Sequence, residues 1–226
     1  CSFGSSVTSA KMILGPILKM ALGREPTEDE LKEYGKYFMT EVVAAGKPFA
    51  TTAPKPLFVI AAGNDATNND DFPVFPASLR EPNTLTVAAT RGRSSIASFS
   101  NFGQTVDVAA PGVAIESGIP GNEYLKLSGT SQASPYVAGV AADMMDLNPS
   151  LKPQDLRQII MGTVDVKGFL RGKVSTSGVV NPQRATLAAS LSKGMSVASA
   201  ILSSRMQIAD VQVPFTEWMS LHAEEG

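Results

Sequence analysis

Two short stretches hold the residues whose chemistry stands out. "GTSQASPYVAG", Gly129 to Gly139, places Ser131 at the head of an apolar run, and "FVIAAGN", Phe58 to Asn64, ends an apolar run in an amide. A serine in the first turn of a helix lies beside backbone N–H groups that the helix cannot pair. It also sits at the positive end of the helix dipole, so negative charge developing on a nearby oxygen is stabilised. Gly129 lets the backbone turn into the helix, Pro135 withdraws one N–H from its early turns, and Ala133, Ala138 and Gly139 permit close packing. The same residues also describe a plain serine or threonine cap on a core helix, and Asn64 alone describes a turn residue after a strand. A nucleophilic serine needs a base. The chain holds one histidine, His222, in the tail stretch "MSLHAEEG", with no adjoining glycine or helix start to orient it. It is expected to be a tail residue, because a base acts only when a framework positions it.

The elements that must position these residues alternate strand and helix. "LFVIAA", "TLTVAAT" and "TVDVAAPG" are continuous apolar runs ending in loops, the pattern of strands buried on both faces of a parallel sheet. Gly129 precedes a helix that Asn148-Pro149 should stop, and "KPQDLRQIIMGT" predicts a second helix with Pro153 in its first turn. Upstream, Thr27 and Glu30 form a capping box, and Leu31, Tyr34, Phe38 and Val42 recur at helical spacing, predicting a helix over 28–45. The run 7–26, with Met12, Ile13, Leu14, Ile17, Leu18, Met20 and Leu22, predicts a helical insertion apolar on several faces. The expected fold class is α/β, a mostly parallel sheet flanked by helices. Beyond Ala189 a low-charge segment shows no link to the sheet pattern, which divides the chain into 1–189 and an extension, 190–226.

Composition excludes several functions. The chain has 226 residues, 43% hydrophobic and 18% charged, which suits a packed core rather than disorder. A net charge of −2 supplies no field to attract nucleic acid or anionic lipid, so neither is expected as a partner. Cys1 is the single cysteine and can form no disulfide within the chain. No apolar run reaches the roughly 20 residues of a membrane span. No glycine-rich phosphate loop follows a strand, so a nucleotide site is not expected.

Five stretches in order carry a resemblance. "FVIAAGN", "FPAS" with "TLTVAAT", "SFSNFG", "VDVAAPG" and "GTSQASPYVAG" together resemble the subtilisin-like serine proteases. The resemblance runs from Ser2 to about Ala189 and implies that family's three-layer fold and its activity, serine endopeptidase. It makes Ser131 the nucleophile and Asn64 a donor to the tetrahedral oxyanion, with Thr130 shaping the backbone. Gln132 and Tyr136 stand where many relatives have methionine and histidine. Ser2, Phe3 and Gly4 resemble the edge strand that pairs with a peptide substrate by strand addition. Ala61, Ala62 and Gly63 would wall the primary specificity pocket, and Val74 would lie at its floor and shorten it. Asp65 is expected to be a solvated turn residue.

The family's aspartate and histidine motifs, "D-[ST]-G" and "H-G-T", do not occur here. The resemblance therefore implies that an upstream fragment of the same protease supplies both residues as a partner, and that this chain alone is inactive. The rival expectation is a non-catalytic peptide-binding or regulatory remnant. A peptide or protein substrate and a propeptide are further expected partners. No cofactor is assigned; calcium is left open as a structural ion, since "NDATNNDD" has suitable oxygens without EF-hand spacing. A secreted location is expected from the family.

Overall fold

A computed structural model describes Thr27 and residues 56–210. The chain divides into two compact units, Cys1–Lys55 and Pro56–Gly226, and the fold below is that of the second. The expected substrate strand (Ser2, Phe3, Gly4), the insertion 7–26, the helix 28–45 and His222 lie outside the described residues.

The predicted strands form where the apolar runs lie. β1 (Phe58–Ala61), β2 (Thr84–Arg91) and β4 (Val108–Pro111) stand side by side in parallel, with Phe58 opposite Thr84 and Val87 opposite Val108. β8 (Gly178–Val179) continues the parallel order beyond β4. β7 (Asp165–Val166) and β3 (Ser95–Ile96) pair antiparallel with β8 and β2. A separate two-stranded hairpin, β5 (Ile115–Ile119) with β6 (Glu123–Leu127), precedes the serine stretch. β1 departs from expectation: it is half-buried rather than buried, because among the described residues it borders β2 alone.

Alternation along the strands divides the core in two. Leu85, Val87, Ala89, Val108 and Ala110 face helices, whereas Ala88, Ala109 and Val179 face the segment bearing Leu170 and Val174. Helix α1 (Thr130–Leu147) presents Ala133, Val137, Val140, Ala141 and Met144 to the sheet. α2 (Pro153–Gly162) adds Leu156, Ile159 and Ile160; α3 (Pro182–Leu191) adds Ala185, Ala188 and Ala189. α1 ends at Leu147, before Asn148-Pro149 as predicted, and Pro153 begins α2.

Past the predicted sheet pattern stands α4 (Val197–Gln207), which buries Ala200 and Ser204. Arginines hold it in place. Arg205 donates to the carbonyls of Gly162 and Val164 at 3.1 and 3.2 Å. Arg184, 1% exposed, donates to the Thr163, Val164 and Ile208 carbonyls and to the Asp210 carboxylate at 2.6 Å. Cations at the C-terminal end of α2 satisfy carbonyls the helix cannot pair and meet the negative end of its dipole. The buried Asp165 accepts from Arg93 and Asn181 and pairs with Arg184, so its charge is compensated on several sides.

The loop after β1 is fastened to the segment before β4. The Asp70 carboxylate accepts from the Gln104 and Thr105 N–H groups at 2.6 and 2.8 Å. Slight burial pushes its pKa up, but these donors and the nearby Arg80 outweigh that and hold it below the ordinary value of 3.8. The ionised form thus stabilises the fold above that value, and this contribution is lost as pH falls through the lowered one. Asp70→Asn should lower the unfolding midpoint at about pH 6 and match the unaltered protein near about pH 2. A midpoint difference that stayed constant across that range would refute this.

Candidate active site

Ser131 and Asn64 are brought together by the order of the sheet. Parallel strands all end on one side, and both the loop after β1 and the start of α1 lie there. Ser131, second residue of α1, is exposed, and so is Asn64. Pro135 has no N–H to give the Ser131 carbonyl, so the helix is open at Ser131. Ser134 ties this turn to β1 by donating to the Val59 carbonyl at 3.0 Å.

The orientation of Asn64 follows from its partners. No side chain of its own segment caps α1, and Gly129 has none to offer. The Asn64 Oδ1 takes that role across 66 residues, accepting from the Thr130 backbone N–H and from its hydroxyl, both at 2.9 Å. A backbone N–H can only donate, so the oxygen of the amide must face Thr130. The Nδ2 group is thereby turned to the other side, and it lies 3.5 Å from the point where a side chain on Gly129 would begin. Thr130 in turn accepts at Oγ1 from the Gly63 N–H at 3.2 Å, which joins the two stretches a third time. The sequence suggests a backbone-shaping role for Thr130. The structure shows more, a side chain 1% exposed that orients the amide.

Ala61 and Gly63 are half-buried and Ala62 is buried, in the turn that carries Asn64; Asp65 is exposed. Val74 is half-buried, with its N–H on the Ser78 hydroxyl at 3.0 Å and its carbonyl accepting from the Ser78 N–H at 2.7 Å. It precedes Phe75 and a cis Pro76. Among the described residues no group of three or more His, Cys, Asp or Glu is placed to hold a metal ion. Several oxygens of "NDATNNDD" already accept hydrogen bonds: Asn68 Oδ1 from the Asp70 N–H, Asp71 from Asn68 Nδ2, and Asp70 from the Gln104 and Thr105 N–H groups. No described helix is long and apolar enough to cross a membrane.

This arrangement, an exposed serine at a helix N-terminus with an amide Nδ2 near the preceding Gly129, has the parts that could stabilise an oxyanion at the serine. The model of the subtilase family matches residues 14–194. The chain belongs to the subtilase family. It is 38% identical to Alkaline elastase YaB of Bacillus sp. (strain YaB) over 60% of its own length and 34% of that protein's. To Subtilisin-like protease 7 of Trichophyton equinum it is 49% identical, over 54% of its length and 29% of the relative's. The chain thus spans about a third of the length of these relatives. The crystal structure of the A-subunit of the AB5 toxin from E. coli is also similar, with TM-score 0.57 and 26% identity, covering 69% of this chain and 56% of that one.

In this subtilase chain the Thr130 hydroxyl both donates and accepts in a buried position. Thr130→Val keeps the shape but leaves the Gly63 N–H without its acceptor and the Asn64 oxygen with one donor fewer. A loss of about 1–3 kcal/mol in unfolding free energy is expected. Thr130→Ser keeps the hydroxyl and should lose less. Equal urea midpoints for the Val and Ser variants would refute the role of the hydroxyl.

Proposed function

We propose that this chain is the serine-bearing part of a secreted serine endopeptidase. The observation that carries the reading is the Asn64 amide, held by Thr130 through its oxygen, with Nδ2 left near Gly129 at the start of the helix that bears Ser131. Family membership supports the same class. The Ser131 hydroxyl attacks the substrate carbonyl and forms an acyl-enzyme, which water then hydrolyses. As the carbonyl oxygen becomes negative, Asn64 Nδ2 and the backbone N–H of Ser131 stabilise it, an interaction stronger in the transition state than in the bound substrate.

The chemistry requires a base that takes the serine proton and returns it to the leaving amine. No histidine lies among the described residues, and His222 is in the tail. The reading therefore assigns the general base, and the aspartate that orients it, to an upstream part of the same protease. Ser2, Phe3 and Gly4 pair with the peptide backbone, Ala61, Ala62 and Gly63 wall the pocket for the residue before the scissile bond, and a propeptide occupies the same cleft before maturation.

A fluorophosphonate probe tests the central claim, because it reacts at a serine only where a working base is present. With the upstream part supplied, labelling is expected at Ser131 and is expected to vanish in Ser131→Ala. The chain alone should remain unlabelled. Absence of labelling in the complete protein would instead favour the non-catalytic peptide-binding remnant.

Val74 generates a second expectation. A valine at the pocket floor leaves room for small or medium apolar side chains and clashes with large aromatic ones. Val74→Gly should widen acceptance towards Phe and Tyr in a peptide-library profile, by about 1–3 kcal/mol in relative kcat/KM. An unaltered enzyme that already prefers aromatic residues would exclude this role.

A further inference from the structure

Asn64 is exposed, yet the backbone on both sides of it is held by a pair of fully buried amides, Asn101 and Asn69, both 0% exposed. Asn101 Oδ1 accepts from the Asp65 N–H at 2.8 Å and the Thr67 N–H at 3.3 Å. The Asn101 backbone N–H donates to the Gly63 carbonyl at 2.9 Å. Its Nδ2 donates to Asn69 Oδ1 at 2.9 Å, and Asn69 Nδ2 donates onward to the Ala62 carbonyl at 2.9 Å. The polarity of this relay is fixed from one end: Asp65 and Thr67 can only donate, which sets both amides in turn.

The relay is anchored in the sheet. The Ala89 N–H in β2 donates to the Ser100 hydroxyl at 2.9 Å, and that hydroxyl donates to the Asn101 carbonyl at 3.0 Å. At Gly63, where φ is +114°, a Cβ would stand 2.4 Å from Asn101 Nδ2, so the approach of loop and amide depends on glycine there. Ala62, Gly63, Asp65 and Thr67 are thus gripped around Asn64, whose own backbone is left to follow.

We propose that Asn101, together with Asn69, is a positioning residue for the oxyanion donor: it acts on the reaction through Asn64 and touches no reacting atom. The inference rests on the proposed role of Asn64. Two neutral amides suit the task because they complete every hydrogen bond without placing a buried charge beside the developing oxyanion. A loose donor in a preorganised site is costly, since displacement by about 1 Å can forfeit on the order of 10²-fold in rate.

The test is a double-mutant cycle in the complete enzyme, upstream part included, with kcat normalised to titrated active serine. Asn101→Ala is expected to lower kcat by about 10- to 10²-fold with KM changed less than about twofold. In the Asn64→Ala background the same substitution should cost less than about twofold, because the residue it positions is gone. Should Asn101→Ala fail to fold, Asn69→Ala, which removes the link to Ala62 and the acceptor of Asn101 Nδ2 but leaves Asn101 on Asp65 and Thr67, is expected to show the same non-additivity with a smaller single effect. Additive losses in kcat, or a lowered unfolding midpoint with kcat per active site intact, would overturn the proposal and leave Asn101 a structural residue. If Asn64→Ala itself leaves kcat unchanged, the oxyanion reading fails and this inference falls with it.

Discussion

The contact on which the site depends is the approach of three backbones at Gly112. A Cβ there would lie 2.7 Å from the Ala89 Cβ, 2.7 Å from the Gly129 carbonyl oxygen and 3.2 Å from the Ala133 Cβ. The Gly112 N–H donates to the Thr90 carbonyl at 2.9 Å, and its own carbonyl accepts from the Gly129 N–H at 2.8 Å. The end of β4, the C-terminal part of β2 and the first turn of α1 are therefore fixed against each other with only the methyl groups of Ala89 and Ala133 between them. This seats the start of α1 at the carboxyl ends of the parallel strands, where the loop from β1 also arrives. Asn64 can then reach across and cap a helix from a distant part of the chain. The cap and the proposed oxyanion donor are two ends of one amide, so the proposed chemistry would share a side chain with the stability of α1.

Buried polar groups are handled differently near and far from this point. Away from the site the buried polar groups include charged side chains beside neutral ones such as Asn83, Asn148 and Thr163. Asp107 accepts from Arg157 at 2.7 Å and from the Thr86 N–H at 2.8 Å, while Arg157 also donates to the Thr84 carbonyl. Burial pushes the Asp107 pKa up, and the Thr86 N–H and Arg157 only partly offset it. Asp165 and Arg184 repeat the pattern under α4. Around Asn64 the buried groups are amides and hydroxyls: Asn69, Ser100, Asn101 and Thr130. On the proposed function, a buried carboxylate there would oppose the developing oxyanion, whereas a fixed dipole need not.

The sequence made the large elements legible because burial leaves a period. β2, β4, α1 and α2 could be read from continuous apolar runs, prolines and the residue before each helix. α4 could not: its buried positions, Ala200 and Ser204, are small, and arginines fix it through carbonyls rather than through an apolar stripe. The hairpin β5–β6 escaped too, because its second strand is exposed along its whole length and buries no alternating face. Within the site, Ser131 and Asn64 were visible through motifs. The hold of Thr130 on Asn64 spans 66 residues and that of Asn101 on Asp65 spans 36. Hydrogen bonds between distant side chains carry no period, so pattern reading passes over them. "SFSNFG" marked the right place without revealing what its asparagine does.

The environment of α1 differs on its two sides. One side of this helix is packed on the sheet through Val137, Val140 and Met144. From the described unit it also turns outward Ala138, Gly139, Ala142 and Met145, small or apolar residues, with acidic ones confined to Asp143 and Asp146 near its end. Helices apolar on opposite sides are those buried within a domain, and a face of alanine and glycine suits the close approach of another backbone. Ala138, Ala142 and Met145 join Pro56, Leu57 and Val59 along an apolar groove beside β1, the strand that the sequence marks as buried and the described unit leaves half-open. The outward face of α1 and the groove beside β1 thus form one continuous apolar surface, on the same helix that bears Ser131 in its first turn.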